Sequence, residues 1–141
     1  MIRVVLDTNI IVSALLQPLG PPAQVFLLAI GGSIQLCITG DVFAEYEEVI
    51  RRPRFRRDEE VITATLQTIR ERSFWVKSTE TIRVCADPDD DIFLECAQAA
   101  RATYVVTGNS KHFPTSWLGT KIVTPRAFLE IMPGETEEVP G

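Results

Sequence analysis

The chain has few of the residues that build metal and disulfide scaffolds. Its three cysteines, Cys37, Cys85 and Cys96, lie far apart with no CxxC pair, and His112 is its one histidine. That argues against a structural zinc site. The odd cysteine count and apolar surroundings fit reduced, buried thiols better than a disulfide framework. Long apolar runs are also missing: residues 23–30, with Gln24 among them, form the longest, well short of the roughly 20 residues of a membrane helix. The opening residues carry one Arg and a short apolar run that soon meets Asp7, so no signal peptide is expected and the expected compartment is the cytosol. Positive charge is in deficit, with 14 Lys and Arg against 19 Asp and Glu, for a net charge of −5. Bulk positive charge therefore does not hold this protein on nucleic acid, and such a partner would need a local basic patch or bound cations.

What is present is enough for one core. Apolar residues make up 45% of the 141 residues and charged residues 23%, the balance of a single folded domain. Residues 2–6 read as a central parallel strand covered on both faces. Helices are expected over residues 10–16, from Pro21-Pro22 to Gly31-Gly32, from Thr39-Gly40 to about Arg52, and from Arg57 to about Arg72. Residues 34–38 form the strand between the second and third of these, and extended pieces are expected at 74–76 and 82–85. Asp87-Pro88-Asp89-Asp90 starts a helix that runs to about Ala100, with an Asp cap, Pro at the first helical position and acids in the first turn. Strands at 104–107 and 122–123, a helix over 125–131 and a mobile tail from 133 to 141 complete the chain. The alternation predicts an α/β class, a three-layer α/β/α sandwich with a mostly parallel central sheet over residues 1–132. Ligand sites of such sheets collect beyond the carboxyl ends of the strands, where the strand order reverses.

The acids fall at that rim. Asp7 ends the first strand, Asp87, Asp89, Asp90 and Asp91 open a helix, and Asn109 follows another strand by two residues. On the third helix, Glu45 and Glu47 flank the stripe of Val42, Phe43, Tyr46, Val49 and Ile50, and Glu48 lies behind it. Periodicity does not choose between Glu45 and Glu47. Each acid has a plain structural reading as a helix cap, a dipole partner or a solvated residue. The case for chemistry lies in convergence, because carboxylates from remote segments on one rim repel unless cations neutralise them. Without a Cys or His cluster the donors are all oxygen, which selects Mg²⁺ or Mn²⁺ over zinc. Such ions suit phosphodiester hydrolysis, activating water and stabilising the attacking and leaving oxygens.

In these residues the sequence resembles the PIN domain, the nuclease fold of VapC-type toxins and related stand-alone proteins. The resemblance covers residues 4–131. Its pieces are Val5-Leu6-Asp7-Thr8-Asn9 with Ser13, Glu45 leading through residues 48–55, Asp87-Pro88-Asp89-Asp90-Asp91 before Phe93-Leu94-Glu95-Cys96-Ala97, residues 105–109 (VVTGN) and residues 122–129 (IVTPRAFL). The resemblance implies a metal-dependent ribonuclease with an acidic quartet. Its first acid falls on Asp7, its second on Glu45 and its third on Asp90, with Asp91 the near alternative. The fourth place, often Asp, is Asn109, whose single neutral oxygen holds a second ion more weakly. Asn9, Ser13, Thr107 and Asp91 would support the ligands from behind. Arg51, Arg52, Arg54, Arg56 and Arg57 form a candidate phosphate grip for RNA, with a solvated helix end as the plain alternative. Phe55 and Trp117 are candidates for stacking on bases, and His112 is at most a substrate contact. The resemblance also implies a homodimer and an antitoxin partner.

Two other classes compete. A degenerate PIN domain that binds RNA or protein without cutting is favoured by Asn109. A phosphoryl-accepting α/β domain fits poorly, since Asn9 stands where a dehalogenase-type phosphatase has its second Asp, and the strand at 34–38 ends in Thr39-Gly40 where a receiver needs Asp.

Overall fold

The structure, a computed structural model, describes residues 1–52 and 58–136. Six strands form one sheet: β1 (Arg3–Leu6), β2 (Gln35–Ile38), β3 (Phe74–Trp75), β4 (Tyr104–Val106), β5 (Ser116–Trp117) and β6 (Thr120–Val123). Their order is β3-β2-β1-β4-β6-β5, and all neighbours are parallel except β5 with β6. The α/β sandwich expected from the alternation is therefore present. Val4, Val5 and Leu6 of β1, and Val105 and Val106 of β4, have no exposed surface. Successive strand residues face opposite sides, so both faces of the sheet are covered. From β1 the chain builds outward through β2 and β3, then returns to the other side of β1 as β4. The strand order therefore reverses between β1 and β4.

The helices are α1 (Thr8–Leu16), α2 (Pro21–Ile30), α3 (Gly40–Ile50), α4 (Glu59–Arg72), α5 (Asp91–Ala100) and α6 (Pro125–Thr136). Thr39 caps α3 by accepting the amide of Val42, and Asp58 caps α4 by accepting that of Glu60. Tyr46, fully buried on α3, donates its hydroxyl to the Leu6 carbonyl at 2.5 Å and so ties α3 to the carboxyl end of β1. Burial raises its phenol pKa well above the usual value and keeps it a neutral donor. All three cysteines are free. Among the described residues, no single helix is long and apolar enough to cross a membrane.

Three local expectations need correction. Residues 82–85 are not a strand, because their amides go to side chains instead of a ladder: Glu95 takes that of Ile82, and Asp91 takes those of Val84 and Cys85. Helix α6 runs past Ile131 to Thr136, because Pro133 removes only one backbone donor and Met132 anchors that turn in the core. Residues 137–141 of the expected tail lie outside the described residues. Strand β5 is a piece that periodicity missed. It pairs with β6 around Leu118 and Gly119, at φ 46° and 90°, the left-handed pair of a tight hairpin.

Candidate active site

The reversal of strand order places two strand ends side by side. Asp7 follows β1 and Thr107 follows β4, and the Asp7 amide donates to the Val106 carbonyl at 3.0 Å. The Thr107 hydroxyl donates to Asp7 Oδ2 at 2.7 Å and accepts the amide of Asn109 at 3.0 Å. Asp7 is only 4% exposed and its side chain makes no capping hydrogen bond to α1. Asp7 still occupies the N-cap position of α1, with the amides of Thr8 and Asn9 near its carboxylate. Its pKa is raised by burial, against the opposing pull of the Thr107 hydroxyl, the nearby amides of Asn9 and Thr8, and the His112 ring.

Glu45 lies half-buried on α3 and accepts a hydrogen bond from the Thr8 hydroxyl at 2.9 Å. Thr8 thus couples the second acid to the residue next to the first. Glu47 is exposed, and Glu48 pairs with Arg52. Asp90 sits in the 3-10 turn Pro88–Asp90 that leads into α5, with the Asp87 side chain capping that turn through the amide of Asp89. The Asp90 carboxylate accepts no hydrogen bond from a described residue. Its only near partner is His112 Nδ1 at 4.0 Å, with side-chain exposures of 53% for His112 and 17% for Asp90. Burial, then the negative charges of Asp7 and Asp87, push its pKa up to about 6, while the His112 ring lowers it and Asp89 adds to the rise. Asp7 and Asp90 therefore oppose each other's ionisation across the rim.

The next residue along has the opposite surroundings. Asp91 is buried, and its Oδ1 accepts the amides of Val84 and Cys85 at 3.1 and 2.8 Å. It holds the strap of residues 82–85 against α5. A cleft of about 520 Å³ on that side is lined by Ile82, Cys85, Asp91, Ile92 and Glu95 among others, and by neither Asp7 nor Asp90. Asn109 is exposed and reaches the rim through its backbone. The side chains of Asn9 and Ser13 make no hydrogen bond to a described residue, so of Asn9, Ser13, Thr107 and Asp91 only Thr107 bonds Asp7 through its side chain, while Asn9 reaches it through its amide. The residues missed by sequence reasoning are Thr8 and Tyr46, which join α1, α3 and β1. Their positions beside Asp7 and Glu45 were the only signal.

The arginine cluster is changed more. Arg52 is bound to Glu48 at 2.8 and 3.0 Å, and Arg51 is bound to Glu59. Both pairs are solvent-exposed, so they hold these side chains only weakly. Arg54, Arg56, Arg57 and Phe55 lie outside the described residues. Trp117 donates its indole N–H to Gln98 and is partly buried against the core.

All the donors at the rim are oxygens. Among the described residues, no three His, Cys, Asp or Glu side chains are gathered closely enough to enclose one ion. The pair Asp7 and Asp90 fits a cation that keeps most of its waters and takes one or two carboxylates, as Mg²⁺ does. The mutual repulsion of the pair is what such a cation would relieve.

A model of the PIN domain matches residues 3–111. The uncharacterized protein MJ1680 of Methanocaldococcus jannaschii is 26% identical over 141 residues, covering 92% of this chain and 90% of its own. A chain from the crystal structure of VapBC2 from Rickettsia felis, bound to a DNA fragment from their promoter, superposes with a TM-score of 0.60 at 16% identity. The match covers 87% of this chain and 98% of that one.

Proposed function

This chain belongs to the PIN-domain family, and on that premise we propose that it is a divalent-metal-dependent endoribonuclease cutting single-stranded or looped RNA. The observation that carries this reading is the pair Asp7 and Asp90 at the point where the strand order reverses, one oriented by Thr107 and the other left without a donor. Asp7, Glu45 and Asp90 are the residues we assign to Mg²⁺ or Mn²⁺, and Asn109 to a weaker outer contact. Bound there, the ion would supply Lewis acidity towards water and the scissile phosphate.

The protein's own part is positioning. Thr107 fixes the rotamer of Asp7 through Oδ2 and leaves Oδ1 to the rim, Thr8 holds Glu45 towards the same rim, and Tyr46 sets the distance between α3 and β1. A buried carboxylate pair short of donors also repels a polyanion, so RNA should enter only when cations are present. We assign the chain the role of a toxin in a toxin–antitoxin module, acting in the cytoplasm as a homodimer restrained by a protein antitoxin. Incubating the purified protein with mixed cellular RNA and Mg²⁺ or Mn²⁺, beside Asp7→Asn, tests the activity. New RNA ends should appear with the wild type only, and equal cleavage by both proteins would sink the assignment.

Asn109 favours a second reading, a PIN domain that binds RNA or a protein without cutting. Titration calorimetry decides between them: measurable Mg²⁺ or Mn²⁺ binding that Asp90→Asn removes supports the enzyme, and no binding supports the non-cutting domain.

A further inference from the structure

The edge of the sheet at β3 carries a second, unused set of groups. Trp75 ends β3 paired beside Ile38, at the carboxyl end of β2 and so on the same rim as Asp7. One side of its ring meets Phe43 of α3, centroid to centroid at 5.4 Å, and its indole N–H donates to the Arg70 carbonyl at 3.0 Å. The ring is thereby fixed and its polar atom satisfied, yet Trp75 remains 41% exposed. The Arg70 guanidinium lies 4.6 Å from the centre of the Phe43 ring. Arg70, Arg72 and Lys77 are all exposed, and among the described residues none has a carboxylate within ion-pair distance. This is the reverse of Arg51 and Arg52, which are paired. Glu71, also exposed, is the only acid between Arg70 and Lys77. In a protein of net charge −5, three exposed cations within five residues of a fixed, partly open aromatic ring complement a polyanion with flat bases, although Lys77 also lines a cleft with Glu80 and Glu95.

We infer that the Trp75 edge is a binding platform for single-stranded RNA, one base stacking on Trp75 while Arg70, Arg72 and Lys77 hold the flanking phosphates. The inference rests on the proposed ribonuclease reading for its choice of RNA, and it adds a contact outside the acidic rim. It gives an acidic protein a grip on RNA in addition to whatever the arginines after α3 contribute. A duplex, whose bases are already stacked, gains nothing from Trp75.

Fluorescence anisotropy tests it with a short labelled single-stranded RNA and full-length Asp7→Asn protein, which leaves the probe intact. Adding Trp75→Ala should weaken binding about tenfold, in the range of one lost base stack, while Trp75→Phe should restore most of it. Adding Arg72→Gln with Lys77→Gln should lower the slope of log Kd against log salt by about 0.7 for each phosphate that is no longer neutralised. These two side chains are exposed, so that variant carries the test even if Trp75→Ala does not fold. The same sequence as a duplex should bind more weakly and be indifferent to Trp75. Unchanged single-strand affinity and salt slope in these variants would overturn the inference, leaving the edge to a protein partner, without touching the ribonuclease reading. Trp75-dependent binding without any cleavage by the wild type would remove the ribonuclease reading and keep the platform.

Discussion

Around the start of α5 the protein treats two groups of carboxylates in opposite ways. On the strap side, Asp91 receives the amides of Val84 and Cys85, and Glu95 receives that of Ile82. On the rim side, Asp90 receives none, and burial, then the charges of Asp7 and Asp87, drive its pKa up to about 6. One group spends its negative charge on the backbone. The other keeps it uncompensated, which lowers stability. Neighbouring acids of one type thus become a structural clamp and a candidate cation site according to whether the fold offers them donors.

Four substitutions probe this contrast. The largest effect is expected from Asp7→Asn: loss of an outer partner of a metal ligand costs about 10–100-fold, so loss of the ligand should lower cleavage by more than about 100-fold. Kinetics on an RNA substrate read this, with a melting curve showing that the fold survives. Asp91→Ala should do the reverse, destabilising the protein by about 2 kcal/mol because two amides lose their acceptor. Its Mg²⁺ affinity per folded molecule should be unchanged, and a loss of affinity matching that of Asp7→Asn would erase the distinction. Thr107→Val removes the hydroxyl that orients Asp7 and should weaken Mg²⁺ binding about tenfold, read by calorimetry.

The smallest effect separates the two groups by pH. Asp90 binds its proton more tightly in the folded protein than at the ordinary value of 3.8, so metal-free stability should be highest below about pH 4 and fall as pH rises towards 6. The unscreened shift would be worth about 3 kcal/mol, and partial exposure reduces it to about 1 kcal/mol. Asp90→Asn should flatten that decline and stabilise the metal-free protein at pH 7. Mg²⁺ should stabilise the wild type at pH 7 and have less effect on the variant. Chemical denaturation at several pH values measures both.

The strands of the core were readable because β1 and β4 are short runs built on paired valines, Val4-Val5 and Val105-Val106, and the helix starts because Thr39, Asp58 and Asp87 carry cap chemistry. Asp7 and Glu45 were readable as acids at a strand end and beside an apolar stripe. Thr107 was readable behind Asp7 only through the family resemblance, since no local pattern encodes the order of strands that brings it there, and Thr8 as the partner of Glu45 was not readable. Residues 82–85 misled because β-branched composition records a preference for extended backbone, whereas a strand also needs a neighbouring ladder, and here Asp91 and Glu95 take its place. The clustering of arginines after α3 shows charge density and not pairing. Glu48 and Glu59, which occupy Arg52 and Arg51, lie outside the cluster.

The hydrogen bond from Thr107 to Asp7 joins residues 100 positions apart. During synthesis at about 5–20 residues per second, Asp7 therefore waits roughly 5 to 20 s for its partner to be made. In that interval β1 has no β4 beside it, and the rim is incomplete. If the finished protein attacks RNA, the ribosome and message producing it are close at hand for the whole of its birth, and the late arrival of β4 keeps the nascent chain harmless until most of it has been translated.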